Sequence, residues 1–210
     1  MLAFGDRLKT HAGAALDETG RDYLTRMQKA TARMQHLIDG LLQYSRVGTK
    51  GHPFEPVPLD EVVADVVSDL ETRIEQSGGR VEVGPLPVIE ADKLQMRQLF
   101  QNLIGNALKF RKPDQPPVVR VVCRPGTNGC AEITVADNGI GFEEQYRERI
   151  FQLFQRLHGR DEYEGTGIGL SVCQKIAERH GGQLTAQSVP GEGSAFIVTL
   201  PVHHEEGGSP

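Results

Sequence analysis

Apolar residues recur along the first 46 positions at alternating steps of three and four. From Arg21 onward the seam is Leu24, Met27, Thr31, Met34, Ile38, Leu41 and Ser45, the 3.5-residue repeat of a coiled coil or bundle. Tyr23, Ala30, Leu37 and Tyr44 run beside it and widen the stripe beyond what one partner helix covers. Met1, Phe4, Leu8, His11 and Ala15 repeat the alternation upstream, and Leu16-Asp17-Glu18-Thr19-Gly20 interrupts it with turn chemistry. The pattern predicts an α-helical hairpin over 1–46. Two helices cannot bury such a stripe, so a homodimer forming four helices is the natural arrangement. His11 reads as a packed or half-buried seam residue.

Residues 47–58 (VGTKGHPFEPVP) carry three prolines and two glycines, the mark of a linker or an edge strand. Leu59–Ser77 reads as one amphipathic helix, with Val62, Val63, Val66, Val67, Leu70 and Ile74 inward and Gly78-Gly79 as its stop. Strands follow near 80–84 and 87–90, then a helix from Ala91 to Phe110 ended by Pro113. Residues 117–124 and 130–136 read as strands, 143–155 as short helices, and 156–166 as a polar loop. Ile168–His180 is helical, and 183–189 with 194–200 form a closing pair of strands. The fold class is an α/β sandwich, its sheet mixed and largely antiparallel with a helical layer, preceded by the hairpin. The division is hairpin 1–46, linker or edge strand 47–58, layered domain 59–202 and disordered tail 203–210.

Composition narrows the function. Of 210 residues, 38% are hydrophobic and 24% charged, which fits a packed chain and excludes wholesale disorder. Lys and Arg number 23 against 28 Asp and Glu, a net charge of −5. That argues against a nucleic-acid partner, which wants a basic surface. No apolar run is long enough to span a membrane and no signal peptide is visible. Cys123, Cys130 and Cys173 show no metal-ligand spacing and read as free thiols in a cytoplasmic protein.

The 91–110 helix carries the strongest chemical signal. It is apolar over most of its circumference, with Leu94, Leu99, Phe100, Leu103, Ile104, Ala107 and Leu108, yet Asn102, Asn106 and Lys109 share one face at i, i+4 and i+7. Burying such groups unpartnered costs about 1–3 kcal/mol for each neutral one. A ligand would supply partners: an amide oxygen suits Mg²⁺, and a lysine suits a phosphate. The alternative is that both asparagines cap neighbouring backbone. Next, Asp137-Asn138-Gly139-Ile140-Gly141 follows an apolar strand. A strand-end aspartate can accept from an exocyclic amine and glycines admit a flat ring, although the same residues also make ordinary turns. Gly165-Thr166-Gly167-Ile168-Gly169-Leu170 opens a helix, whose free N–H groups suit phosphate oxygens. Gly191-Glu192-Gly193-Ser194, alone, is a hairpin turn.

In this order, with Phe151 and Phe154 between the second and third motifs, the boxes resemble the ATP-binding domain of sensor histidine kinases, a Bergerat-type fold of the superfamily that includes gyrase and mismatch-repair proteins. The resemblance runs over about 59–202. The run RLHGRDEYEGTGIGL (156–170) is most similar to the phytochrome-related branch, and 21–46 is similar to the second helix of the family's dimerisation and phosphotransfer hairpin.

The resemblance implies ATP and Mg²⁺ as ligands. Asn106 would hold the metal. Asn102 and Lys109 would line the phosphates, with Phe110 flanking them. Asp137 would read the adenine amino group, with Gly139 and Gly141 against the ring. Residues 155–166 would be a lid with Arg156 reaching the γ-phosphate, and Gly165, Thr166, Gly167, Ile168, Gly169 and Leu170 would form its phosphate-contacting hinge. His158 and Tyr163 read as solvated loop residues. Hydrolytic superfamily members carry a water-activating glutamate four residues before the metal asparagine. Here that residue is Asn102, and an amide is no general base, so transfer of the γ-phosphoryl by positioning is expected. The family's acceptor, a histidine followed by an acidic residue, would fall about three turns before Phe4. The chain is thus expected to lack it, as a piece of a longer kinase, a short natural protein, or a kinase acting on another chain. A response-regulator receiver domain is the implied downstream partner. The competing readings are an ATP-binding dimerisation module without phosphotransfer, and a serine-kinase anti-sigma factor, against which the leading hairpin argues.

Overall fold

The computed structural model describes residues 7, 10–11, 16–49, 51–157, 163 and 165–204. Met1–Gln43 and Tyr44–Pro210 form two compact units. The first is dominated by α1 (Glu18–Thr49), whose final turns belong to the second. Asp17 caps it, its Oδ1 accepting from Gly20 N at 2.7 Å. The turn chemistry at 16–20 is therefore shorter than expected, because Gly20 is already helical. Tyr23, Met27, Met34, Ile38 and Leu41 are exposed. Arg7, Thr10 and His11 are helical and exposed, so His11 is not packed within this chain. The rest of the hairpin's first arm lies outside the described residues. No helix among the described residues is long and apolar enough to cross a membrane.

The second unit holds β1 (Glu55–Pro58), α2 (Leu59–Asp69), α3 (Glu71–Ser77), β2 (Arg80–Val83), β3 (Val88–Ala91), α4 (Lys93–Lys109), β4 (Val118–Pro125), β5 (Cys130–Asp137), two 3₁₀ turns (Glu144–Tyr146 and Arg149–Phe151), α5 (Gly169–Arg179), β6 (Gln183–Val189) and β7 (Gly193–Pro201). The main sheet runs β2-β4-β5-β7-β6. Only β2–β4 is parallel. Strand alternation decides the faces. Val119, Val121, Ile133, Val135, Val198, Leu200 and Leu184 point into the core, under α4 and α5.

Two local expectations need correction, those for 59–77 and for the tail. Of the linker or edge strand expected over 47–58, the strand is present: Glu55–Pro58 pairs antiparallel with β3, and α1 runs on to Thr49. The β1–β3 pair is a separate sheet, so the neighbouring segments β2 and β3 diverge. The helix expected over 59–77 breaks at Leu70 (φ −95°, ψ 2°), whose N–H is shared between the Val66 and Val67 carbonyls. The tail is ordered through its first two residues: His204 N donates to Glu90 Oε2 at 2.6 Å, and its ring lies 4.4 Å from that of Phe54.

The N-terminus of α4 is pinned. Asp92, 1% exposed, accepts from Leu94 N and Gln95 N through Oδ1, and from His52 N and Arg179 Nη1 through Oδ2. Its own N–H donates to Nε2 of the buried His180 at 3.1 Å. That bond fixes the tautomer, so Nδ1–H donates to Ile176 O. Burial pushes His180 down to about 4, so the ring is neutral at neutral pH.

Candidate functional site

A cleft of about 270 Å³ opens between the C-terminal half of α4, the turn after β5, the start of β7 and the entry to α5. Because α4 is anchored at Asp92 and buried along Met96, Leu99, Phe100, Leu103, Ile104, Ala107 and Leu108, its one polar face is forced towards this opening. Asn102, Asn106, Lys109 and Phe110 all line it. Leu94, read with the apolar face, is 60% exposed instead. Asp137 and Gly141 reach the cleft from β5, and Arg156, Gly165, Thr166, Gly167, Gly169 and Leu170 from the far side. Two expected residues stand behind it. Gly139 backs onto α4, where a Cβ would come within 2.3 Å of the Phe110 carbonyl oxygen. Ile168 is 1% exposed, in the core below α5.

Asp137 is held from one side. Its Oδ1 accepts from Gly139 N at 2.8 Å and from Ser194 N at 3.2 Å, so Oδ2 is left for the cleft. Burial raises the carboxyl to about 6, against the opposing pull of those two N–H groups and of Lys112. Two glycines let the surrounding loops close up. At Gly141 (φ 65°) a Cβ would meet the Val189 carbonyl at 2.1 Å, and at Gly193 (φ 126°) it would meet that of Asp137 at 2.0 Å.

The opposite end is cationic and rich in donors. Lys109 Nζ stands 4.4 Å from the Phe110 ring centre and beside Gly165, where a Cβ would approach it to 2.8 Å. The first turn of α5 has no side-chain cap, so its leading N–H groups suit an anion. Asn102 Oδ1 lies 3.4 Å from where a Gly169 Cβ would stand. Beneath it, burial pushes the Cys173 thiol up to about 12, which makes it a packing group rather than a nucleophile. Arg156 donates to the carbonyls of Gly165 (2.9 Å) and Tyr163, binding backbone at the cleft edge. His158 and half of the expected lid, 158–162 and 164, lie outside the described residues.

The Asn106 carboxamide makes no hydrogen bond to a described residue while lining the cleft. No group of three or more acidic, histidine or cysteine ligands occurs among the described residues. The Asn106 side-chain oxygen is a ligand type that Mg²⁺ accepts.

Several lining residues escaped sequence reasoning. Ile140, Phe142, Ile150 and Phe196 form the apolar wall, and Tyr163 packs its ring 5.0 Å from that of Phe110. Their pattern matches ordinary core residues, so only Tyr163, next to a glycine motif, offered any signal.

Residues 91–204 match the family described as "Histidine kinase-, DNA gyrase B-, and HSP90-like ATPase", and the chain belongs to that family. Within it, this is the catalytic ATP-binding part of a sensor histidine kinase. Phytochrome-like protein Cph1 of Synechocystis sp. is 42% identical over 195 residues, covering 93% of this chain and 26% of that protein. Cyanobacterial phytochrome A of Nostoc sp. is 39% identical over 194 residues, covering 91% and 25%. The chain spans about a quarter of the length of these curated relatives. Full-length ShkA, solved in complex with AMPPNP, has a TM-score of 0.71 at 25% identity, covering 95% of this chain and 42% of that one. Histidine kinase ThkA, solved in complex with response regulator protein TrrA, is similar in fold (TM-score 0.68, 21% identity, 96% and 57% covered).

Proposed function

We propose that the cleft binds Mg²⁺·ATP and delivers the γ-phosphoryl group to a histidine on a dimerisation hairpin. Asp137 Oδ2 accepts from the adenine amino group, and Gly141 gives the ring access. Asn102, Lys109 and the turn from Gly165 to Leu170 hold the triphosphate, and Phe110 screens it from water. Asn106 supplies the metal's protein oxygen. Mg²⁺, when bound, offsets the charge of the β- and γ-phosphates. Arg156 trades its backbone partners for the γ-phosphate. The acceptor imidazole nitrogen forms its bond to phosphorus as the β–γ bridging oxygen leaves with ADP.

The observation that carries this reading is one cleft with an acceptor-only carboxylate at one end, amide and ammonium groups at the other, and Asn102 where a hydrolytic enzyme needs a base. With no base to activate water, positioning favours transfer over hydrolysis. The exposed stripe on α1 supports a homodimer through the hairpin, and a receiver domain accepts the phosphoryl group in turn.

The test is transfer in trans. The chain is mixed with γ-labelled ATP and a separate helical hairpin bearing an acceptor histidine. Acid-labile label on the hairpin supports the kinase. Tight ATP binding without transfer to any histidine favours the binding module instead.

A further inference from the structure

Beneath the Asp137 end of the cleft two serines of the β6–β7 hairpin meet, their Oγ atoms 3.0 Å apart. Ser188 Oγ also receives the Phe142 N–H at 2.8 Å and donates to the Gly193 carbonyl at 2.8 Å. A hydroxyl owns one proton and two lone pairs. The amide can only donate and the carbonyl can only accept, so the one proton of Ser188 goes to Gly193. Its second lone pair is left for Ser194, and the proton between the serines belongs to Ser194. Ser194 lines the cleft, and its Oγ, its proton spent on Ser188, has only lone pairs left to offer there. The Ser194 N–H is taken by Asp137 Oδ1, which ties both acceptors into one turn.

We infer that Ser188 is a specificity-determining positioning residue: by fixing the proton direction at Ser194 it makes the base end an all-acceptor edge, selecting a purine with an amino group rather than a carbonyl at C6. The inference rests on the nucleotide reading of the cleft. An amino group has hydrogens to offer Asp137 Oδ2 and Ser194 Oγ directly. A C6 carbonyl would meet only lone pairs. Nothing in the sequence distinguishes this pair from polar strand residues, because the argument lies in proton accounting.

The experiment compares ATP with inosine triphosphate, whose purine carries a carbonyl at C6, by equilibrium binding to the full chain. Ser188→Ala releases the Ser194 hydroxyl to turn outward, and the preference for ATP should narrow about ten-fold, the scale of one neutral hydrogen bond. Ser188→Thr keeps the hydroxyl and should restore the preference. Ser194→Ala should narrow it as well, and the double variant should add nothing further. Should Ser188→Ala fail to fold, the Ser194→Ala ratio decides. Equal losses for both nucleotides, as mere support of Phe142 and Gly193 would give, overturn the inference, as does an unchanged ratio. If the unaltered chain binds neither nucleotide, the nucleotide reading fails first and takes this inference with it.

Discussion

Asp137→Asn should make the ligand-free domain more stable while removing its grip on adenine. The carboxyl is raised from 3.8 to about 6 by burial. Each pH unit is worth about 1.4 kcal/mol, so the ionised form costs the folded state about 3 kcal/mol above neutrality. Asp137 is half-buried, and screening by the remaining solvent contact brings the expected gain to about 1–3 kcal/mol. Asparagine keeps an oxygen for the Gly139 and Ser194 N–H groups, so the turn should survive. Because the folded value is raised, this group favours folding below 3.8, and its contribution is lost as pH climbs through about 6. The advantage of the variant should therefore be largest near pH 7.5, about half as large near pH 5, and close to zero by about pH 4. His180 titrates in the opposite sense, but it is common to both proteins and cancels in the difference. Urea denaturation followed by circular dichroism at each pH measures the gap, and ATP titration measures the lost affinity. A variant less stable at pH 7.5, or a gap independent of pH, would refute the account of Asp137 as a carboxylate kept for a ligand at the expense of the fold.

Asn106→Ala should lower Mg²⁺-dependent nucleotide affinity at least about ten-fold with an unchanged melting temperature, since the side chain supports no described residue. Calorimetry with and without Mg²⁺ checks this, and retained affinity removes the metal assignment. Asn102→Glu should raise phosphate release from ATP by placing a base beside the nucleotide; a flat hydrolysis rate would show that the missing base is not what limits hydrolysis. His180→Leu leaves the Asp92 N–H buried without its acceptor and should cost about 1–3 kcal/mol. The lowered value of His180 makes the parent protein lose stability as pH falls from 6.5 towards about 4, and the variant should show a shallower acid limb; identical limbs would contradict the buried neutral ring. Ile38→Glu, on the exposed face of α1, should shift sedimentation towards monomer, and a dimer that persists unchanged would place the contact elsewhere.

The cleft was legible because it violates burial rules. Two amides and a lysine on one face of a greasy helix, glycines at a strand end and glycines before a helix each break a local pattern, and they break it around one space. What stayed hidden breaks no pattern. β2 and β3 have similar short apolar alternations, and only long-range pairing with β4 and β1 separates them. The apolar spacing of 59–77 continues straight through Leu70, so the break there reflects packing rather than sequence. His204 looked like tail because its partners, Phe54 and Glu90, are more than a hundred positions away. Ser188 and Ser194 differ from other strand serines only in whose proton goes where.

The 17 residues of α4 make a rod of about 25 Å, clamped at the Asp92 end and lining the cleft at the other. Axial slip at the clamp would displace Asn102, Asn106 and Lys109 by the same amount and in the same direction. These side chains cannot be tuned singly by moving backbone; they gain or lose registration as a set, so substitutions around Asp92, far from the cleft, have leverage over all three at once.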